Sequence, residues 1–390
     1  MPRVKTLNLH DFDISPATGF LPPPPLIRSN VNILLPWQEL CDKMPKLLAA
    51  DAFRKAIGRL PLIEPPQLDR RTDDLMMRML SFIAHAYIWE NWREKPESVL
   101  PSNIAIPWHR VAKRLGRPSV LSYKSYALDN WALIDSDGPV ELGNIRLIQN
   151  FLGRYSKPDG TGGIDEDWFI LVHVDIEAKA GLAIKAIGLA QEGVFKNDSK
   201  LVLESLTMMA VSLENMHKTL CRMRENCNPY VYYNFVRPYI TGFARNPLVY
   251  EGVEEYKREP QKFFGETGAQ SSIVPSLDAA LGIEHAEDPL RHFVVKMIDY
   301  MPPKHREFVE AVAEGPSIKK YVESTNDSFP ELIVQYTECR RRLKLFRDEH
   351  LKLADDFVFK QGQVSPHNPT NYGTGSTPFM PYLKKHRDET

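Results

Sequence analysis

Between Leu332 and Phe357, mostly apolar side chains recur in alternating steps of four and three: Leu332, Tyr336, Cys339, Leu343, Phe346, His350, Leu353 and Phe357. That spacing puts them on one face of a helix, because each turn takes 3.6 residues. Lys344, Asp348, Lys352, Asp355 and Asp356 fall on the other face. A chain with this stretch must bury one stripe of a helix roughly seven turns long. One member of the stripe is out of place: His350 points where a hydrophobe is expected. A buried imidazole left without partners costs roughly 1–3 kcal/mol, so something must meet its ring nitrogens. It is either a core histidine bonded to a carbonyl or water, or a metal ligand projecting into a dry slot.

The rest of the chain reads as helical too. Residues 167–191, 200–225, 229–243, 270–281, 289–300 and 306–313 all carry a 3.6-like period, and no alternating strand pattern competes with them. Asn228 followed by Pro229 is a good helix start. Before residue 167 the pattern is more broken. Pro22 to Pro25 is extended. Helical faces appear from Trp37, where Pro45 predicts a break, and over 74–93. Pro101 and Pro107 mark 99–108 as a connector, with short helices at 110–115 and 120–134 and a Gly-rich acidic loop over 157–167. The expected fold class is all-α, with a smaller N-terminal part (1–115) and a large helical part (116–390). Pro, Asn, Gly, Ser and Thr mark a mobile loop at about 361–378, ahead of a final helix from Phe379.

Composition narrows the function. The formal net charge is −1, which argues against a nucleic-acid partner, and no basic run appears. Cys41, Cys221, Cys227 and Cys339 form no zinc spacing and suit a reducing compartment. No apolar run reaches the ~20 residues of a membrane span. The expectation is a cytoplasmic protein without a membrane partner.

Three further features carry chemistry. His173 interrupts the stripe Phe169, Ile176, Ala180, Ala183, Ile187 as His350 interrupts its own. Two such histidines could clamp a cofactor, an axial haem ligand being one such role, although spacing alone leaves each a core residue equally well. Arg237 stands among Tyr230, Tyr232, Tyr233, Phe235 and Tyr239. A guanidinium there can grip a carboxylate while stacking on a ring, or form an internal salt bridge. Gly265, Thr267, Gly268, Ser271 and Ser272 allow close approach of a ligand just ahead of a helix.

Together these segments resemble the indoleamine 2,3-dioxygenase family. The likeness is carried by YMPPKHREF (Tyr300–Phe308), GAQSSIVPSLDAALGI (Gly268–Ile283), NPYVYYNFVRPYITGF, LFRDEHLKLA (Leu345–Ala354) and GTGST (Gly373–Thr377), in the family's order. The resemblance implies an all-helical fold holding one haem b per chain, with His350 as proximal iron ligand. It implies that Arg347 and Asp278 pair beside the haem. Arg237 would hold the substrate carboxylate, with Thr267 and Gly268 lining the substrate and propionate side. Thr374 would close over the substrate, and Phe169 and Tyr123 would line the pocket. The implied partners are L-tryptophan or another indoleamine, O2, and an electron donor that keeps the iron ferrous.

Three positions depart from the family pattern. His173 stands where a serine is familiar, and related tryptophan 2,3-dioxygenases place a histidine there against the indole N–H. Tyr232 and Tyr233 replace two phenylalanines, and Glu266 replaces a glycine. The expectation is insertion of O2 across the indole C2–C3 bond to give N-formylkynurenine, with a narrower preference for L-tryptophan. The alternatives are another haem-dependent oxidation or rearrangement of a tryptophan derivative, and a haem-binding sensor without turnover.

Overall fold

A computed structural model describes residues 7–153, 164–286, 289–365, Gly373 and 379–390. The chain is all-α, as its periodicity predicts. It begins with α1 (Leu35–Ala49), α2 (Arg70–Trp89) and α3 (Ser102–Leu115). The Asp69 side chain caps α2 by accepting from the Thr72 N–H at 2.7 Å. Neither Pro45 nor Pro107 ends its helix, contrary to the connector expected at 99–108. Pro107 removes one backbone bond at a cost of ~3 kcal/mol. Against that, Ile104, Trp108, Val111 and Leu115 are all buried, at about 1.5–3 kcal/mol for each large apolar side chain. Packing wins.

The helix expected over 120–134 shrinks to one wide π-helical turn, Lys124–Leu128. Asn130 stops it. Its side-chain amide donates to the carbonyls of Tyr126 and Gln149 at 3.1 and 2.8 Å, and its Oδ1 accepts from the Gln149 N–H. A side chain that takes over backbone partners turns the chain out of the helix. A short antiparallel pair follows, β2 (Trp131–Leu133) on β3 (Ile145–Leu147), with Trp131 opposite Leu147. A second small sheet pairs β1 (Val99–Leu100) in parallel with β4 (Val249–Tyr250). Most of the Gly-rich loop read at 157–167 lies outside the described residues.

The structural centre is α4 (Asp165–Lys196), α5 (Ser199–Cys221) and, much later, α10 (Glu331–Ala354). A tight turn joins α4 to α5. Asn197 takes the left-handed conformation at φ 55°, and the Asp198 side chain then caps α5 through the Lys200 and Leu201 N–H groups. The two helices therefore run back to back. α10 also packs on α5. Between α5 and α10 come α6 (Ile273–Leu281), α7 (Pro289–Ile298), α8 (Pro303–Glu314) and α9 (Ile318–Thr325). α9 is absent from the sequence reading, although Ser317 caps it by accepting from the Lys320 N–H. α10 runs on through a π turn, Asp355–Phe359, into Lys360–Val364. Residues 361–364 are thus helical, where the composition suggests a loop. α11 (Phe379–Glu389) packs against α10.

His85 ties α2 to the segments that carry Leu121 and Tyr239. Its Nδ1–H donates to the Tyr239 carbonyl at 2.7 Å, and its Nε2 accepts from the Leu121 N–H at 3.0 Å. Among the described residues no helix is long and apolar enough to cross a membrane.

Candidate active site

α4 and α10 both pack on α5, and a cavity with about 1440 Å³ of empty space, part of it open to solvent, separates them. Its walls include Leu220, Met223, Val274, Phe293, Phe346, Leu353 and Val358. Such walls suit an apolar macrocycle.

His350 stands on the α10 wall. The stripe to which it belongs is buried at Leu332, Tyr336, Cys339 and Leu343, and again at Leu353 and Phe357. Phe346 and His350 between them keep accessible surface where they meet the cavity. Burial, with His173 and Arg347 nearby, still pushes His350 down to about 4, so its ring is neutral at pH 7. Among the described residues, neither of its nitrogens has a hydrogen-bond partner.

His173 faces the same cavity from α4, one turn after Phe169. Its Nδ1 lies 2.7 Å from the Phe169 carbonyl. A carbonyl only accepts, so Nδ1 carries the proton and Nε2 is left as an acceptor. Burial holds this ring below the usual histidine range, and the carbonyl bond opposes that only partly. Phe169 lies 4.7 Å from the His173 ring and 4.5 Å from Tyr232, and Tyr232 meets Phe357 edge-on at 5.8 Å. These four rings make a continuous aromatic wall.

Arg237 follows a π turn, Tyr232–Val236. Pro238 offers no N–H to the carbonyl of Asn234, and a widened turn is one way to absorb that loss. The Arg237 guanidinium is buried and lies 5.0 Å from the Tyr233 ring, in cation–π contact. Beyond it the chain crosses itself. A Cβ on Gly242 would meet the Gly265 nitrogen at 2.1 Å, so only glycine fits. The crossing is fixed by Phe243 N–H donating to the Phe263 carbonyl and Glu266 N–H to that of Ile240. It brings Glu266 and Thr267 to the cavity wall beside Arg237. The Thr267 hydroxyl accepts from the Ala269 N–H at 3.4 Å, opening the turn Gly268–Gln270. On the α10 side, Arg347 donates to both Asp278 oxygens, each at 2.7 Å.

The profile of the indoleamine 2,3-dioxygenase family matches residues 8–390. The chain belongs to the indoleamine 2,3-dioxygenase family. It is 31% identical to human indoleamine 2,3-dioxygenase 2, covering 100% of this chain and 97% of that protein. It is also 31% identical to the indoleamine 2,3-dioxygenase of Saccharomyces cerevisiae, over 98% of this chain and 92% of the yeast protein. A chain of Haliotis madaka named myoglobin is 28% identical over 98% of both. The family is one of haem-dependent dioxygenases, and this member is an oxygenase enzyme.

The residues present fit a haem. His350 offers a neutral imidazole with no hydrogen-bond partner among the described residues, the walls are apolar, and Arg347 and His386 supply polar groups at the rim. Of the residues read from the sequence, Phe169, His173, Tyr232, Arg237, Thr267, Gly268, Arg347 and His350 all line this one cavity. Tyr123 does not. It stands behind His173, the ring centroids 6.1 Å apart and edge-on, so it backs the pocket rather than lining it. Asp278 stands one layer out, in a neighbouring cleft, where it also meets Nε2 of His285 at 3.1 Å. Thr374 lies outside the described residues.

Two groups escaped the sequence reading. His386 of α11 reaches the cavity rim and stacks on His285, the ring centroids 3.8 Å apart; nothing in its local pattern marks it. Glu177 is fully buried and accepts from the Ser271 hydroxyl at 2.7 Å, and burial pushes it up to about 7. Its signal was present, a charged residue one turn past His173 on the same helix.

Proposed function

We propose that this enzyme inserts both atoms of O2 across the C2–C3 bond of the indole ring of L-tryptophan, giving N-formylkynurenine. One observation carries the reading. A single cavity joins a histidine without a hydrogen-bond partner among the described residues, a histidine whose Nε2 is an acceptor, and a buried arginine. His350 would hold haem b, one per chain, through a ring nitrogen, with Arg347 at its edge. Bound there and kept reduced by an external electron donor, the haem supplies O2 activation.

The chain's own residues do the rest. Arg237 takes the substrate carboxylate, a charge-assisted pairing strengthened by its dry surroundings. The neutral His173 accepts the indole N–H at Nε2 and so fixes the ring's rotation. Phe169, Tyr232 and Phe357 flank the indole and exclude water. Thr267 and Gly268 line the substrate side. Holding two reactants in one geometry removes much of the entropic barrier.

The test is the absorption spectrum of the reduced protein, before and after L-tryptophan and O2. A Soret band, its perturbation by L-tryptophan and the appearance of N-formylkynurenine absorbance are expected. A colourless protein after haem supplementation would overturn the reading. One relative is named myoglobin, and a second reading is that this chain binds haem and O2 without turnover. O2 uptake that stays at background with L-tryptophan present would favour it.

A further inference from the structure

A second set of donor side chains meets outside the cavity, where α5 ends against α10. His217 and Cys221 are four residues apart, so both stand on one face of the last turns of α5. Glu349 of α10 completes the group. One ligand atom from each, an imidazole nitrogen, the thiol sulfur and a carboxylate oxygen, lies within 4.8 Å of the others. The Cys221 sulfur is 3.6 Å from Nε2 of His217. Zinc bonds of about 2.3 Å to sulfur and about 2.0–2.1 Å to nitrogen, opened to a tetrahedral angle, put those two atoms roughly 3.5–3.6 Å apart. The α5 pair is thus already spaced for one ion, and a movement of about 1 Å brings in the Glu349 oxygen.

We propose that His217, Cys221 and Glu349 bind one Zn2+ ion, with water in the fourth position, and that the ion staples α5 to the helix carrying His350. Nitrogen, sulfur and oxygen donors at tetrahedral spacing favour zinc over Mg2+ or Ca2+, which take oxygen ligands. Cys221 is exposed and Glu349 keeps 8% of its surface, so the ion enters from solvent and sits on the seam between the helices. Glu349 is already paired: Arg224 donates to its Oε1 at 2.6 Å and Lys352 to its Oε2 at 3.3 Å. The Lys352 side chain is 67% exposed and can turn into water. Arg224, which also donates to Asp356 at 2.9 Å, can stay where it is. A carboxylate accepts at both oxygens, so Oε2 takes the ion while Oε1 keeps the arginine as an orienting partner. On binding, the Cys221 thiol releases its proton to solvent and the sulfur takes the ion as thiolate, with no change of oxidation state. Desolvation, and then the Glu349 carboxylate, hold that thiol above its ordinary range, a cost that the divalent charge offsets.

The experiment adds Zn2+ alone to the haem-loaded protein. Cys41, Cys227 and Cys339 are buried, so a thiol reagent should titrate one fast thiol, Cys221, in the folded chain. Stoichiometric Zn2+ should silence it, excess EDTA should restore it, and Mg2+ should leave it unchanged. The thermal midpoint should rise with Zn2+ concentration. His217→Ala should keep the fast thiol and the Soret band. It should weaken Zn2+ protection by more than the roughly 10- to 100-fold that loss of an outer-shell partner costs. Glu349→Gln should keep the His217–Cys221 pair and lose the rise in thermal midpoint, because the ion then no longer bridges α5 and α10. Where Glu349→Gln fails to fold for want of its Arg224 pair, His217→Ala still decides.

Protection that needs millimolar Zn2+, or that His217→Ala retains in full, would reduce the site to a surface thiol and overturn it. Wild-type protein whose thermal midpoint ignores Zn2+ would overturn the staple. So would a rise that persists undiminished in folded Glu349→Gln, since α10 would then supply no ligand.

Discussion

Desolvation pushes the rings of His85 on α2 and His350 on α10 both down to about 4, although His85 is closed in by protein and His350 keeps surface open to the cavity. Their partners differ. His85 uses both nitrogens, donating to Tyr239 and accepting from Leu121, in a region where Trp108 and Phe243 pack around its ring. His350 uses neither nitrogen among the described residues and faces the cavity. The depressed pKa therefore does not separate the two rings, because desolvation lowers both. The hydrogen-bond inventory does: one ring closes a structural account, and the other leaves its account open for a ligand.

Breaking each histidine should break a different thing. His350→Ala should abolish stable haem binding, read as loss of the Soret band, while the thermal midpoint of the haem-free chain changes little. A normal Soret band would remove His350 as the ligand. His85→Leu should keep the Soret band in the folded protein. It strands a buried carbonyl and a buried N–H, at roughly 1–3 kcal/mol each, so unfolding in denaturant should shift accordingly. Equal loss of haem in both variants would erase the distinction.

Arg237 sharpens the contrast from the substrate side. Its guanidinium is buried and aimed at the same space, so Arg237→Ala should raise KM for L-tryptophan by roughly 100-fold, the scale of one charge-assisted pairing. An indole without a carboxylate should be used almost as before. Unchanged kinetics with L-tryptophan would refute the assignment.

The two histidines also predict a common pH dependence. Both stay neutral in the folded protein while the unfolded chain takes up protons below about 6.5. Their contribution is complete above that value and is lost as pH falls toward 4, because the unfolded state then binds more protons. For His85 the full window amounts to about 3 kcal/mol by linkage. In His85→Leu that part of the slope should vanish between pH 6.5 and 4. A variant with the wild-type slope would show that other groups carry it.

The same contrast explains what could be read before the fold was known. Residues 331–354 and 165–196 betray themselves because one polar side chain interrupts a long apolar stripe, which is a local signal. Arg237 stands out among five aromatic neighbours for the same reason. His85 lies in α2 among Met, Phe, Ile and Ala residues that are nearly all buried, yet nothing local shows that Tyr239 and Leu121 will meet its nitrogens. Those bonds span 154 and 36 residues. The neighbourhood of Glu266 and Arg237 depends on Gly242 crossing Gly265, a contact between two backbones that no periodicity encodes. Tyr123 was placed on the pocket wall by likeness alone, and packing sets it behind His173. The helix at Ser102–Leu115 was lost to Pro107, because local propensity does not count the tertiary burial that outweighs it.

His173 carries the smallest expected effect and divides the two kinds of histidine most finely. It resembles His85 in having one nitrogen committed to a carbonyl, and His350 in offering the other to the cavity. If its Nε2 only accepts the indole N–H, His173→Ser should keep haem, fold and measurable turnover. The loss in kcat/KM for L-tryptophan should be roughly tenfold, one hydrogen bond's worth. A 1-methyl indole substrate, which has no N–H to donate, should be used equally by both proteins. Because burial holds the ring below the usual histidine range, wild-type affinity should be flat from pH 8 to about 6.5 and fall only in more acid solution, as Nε2 gains a proton and ceases to accept. Complete loss of turnover in His173→Ser, with the Soret band intact, would instead make this ring a proton-transfer group.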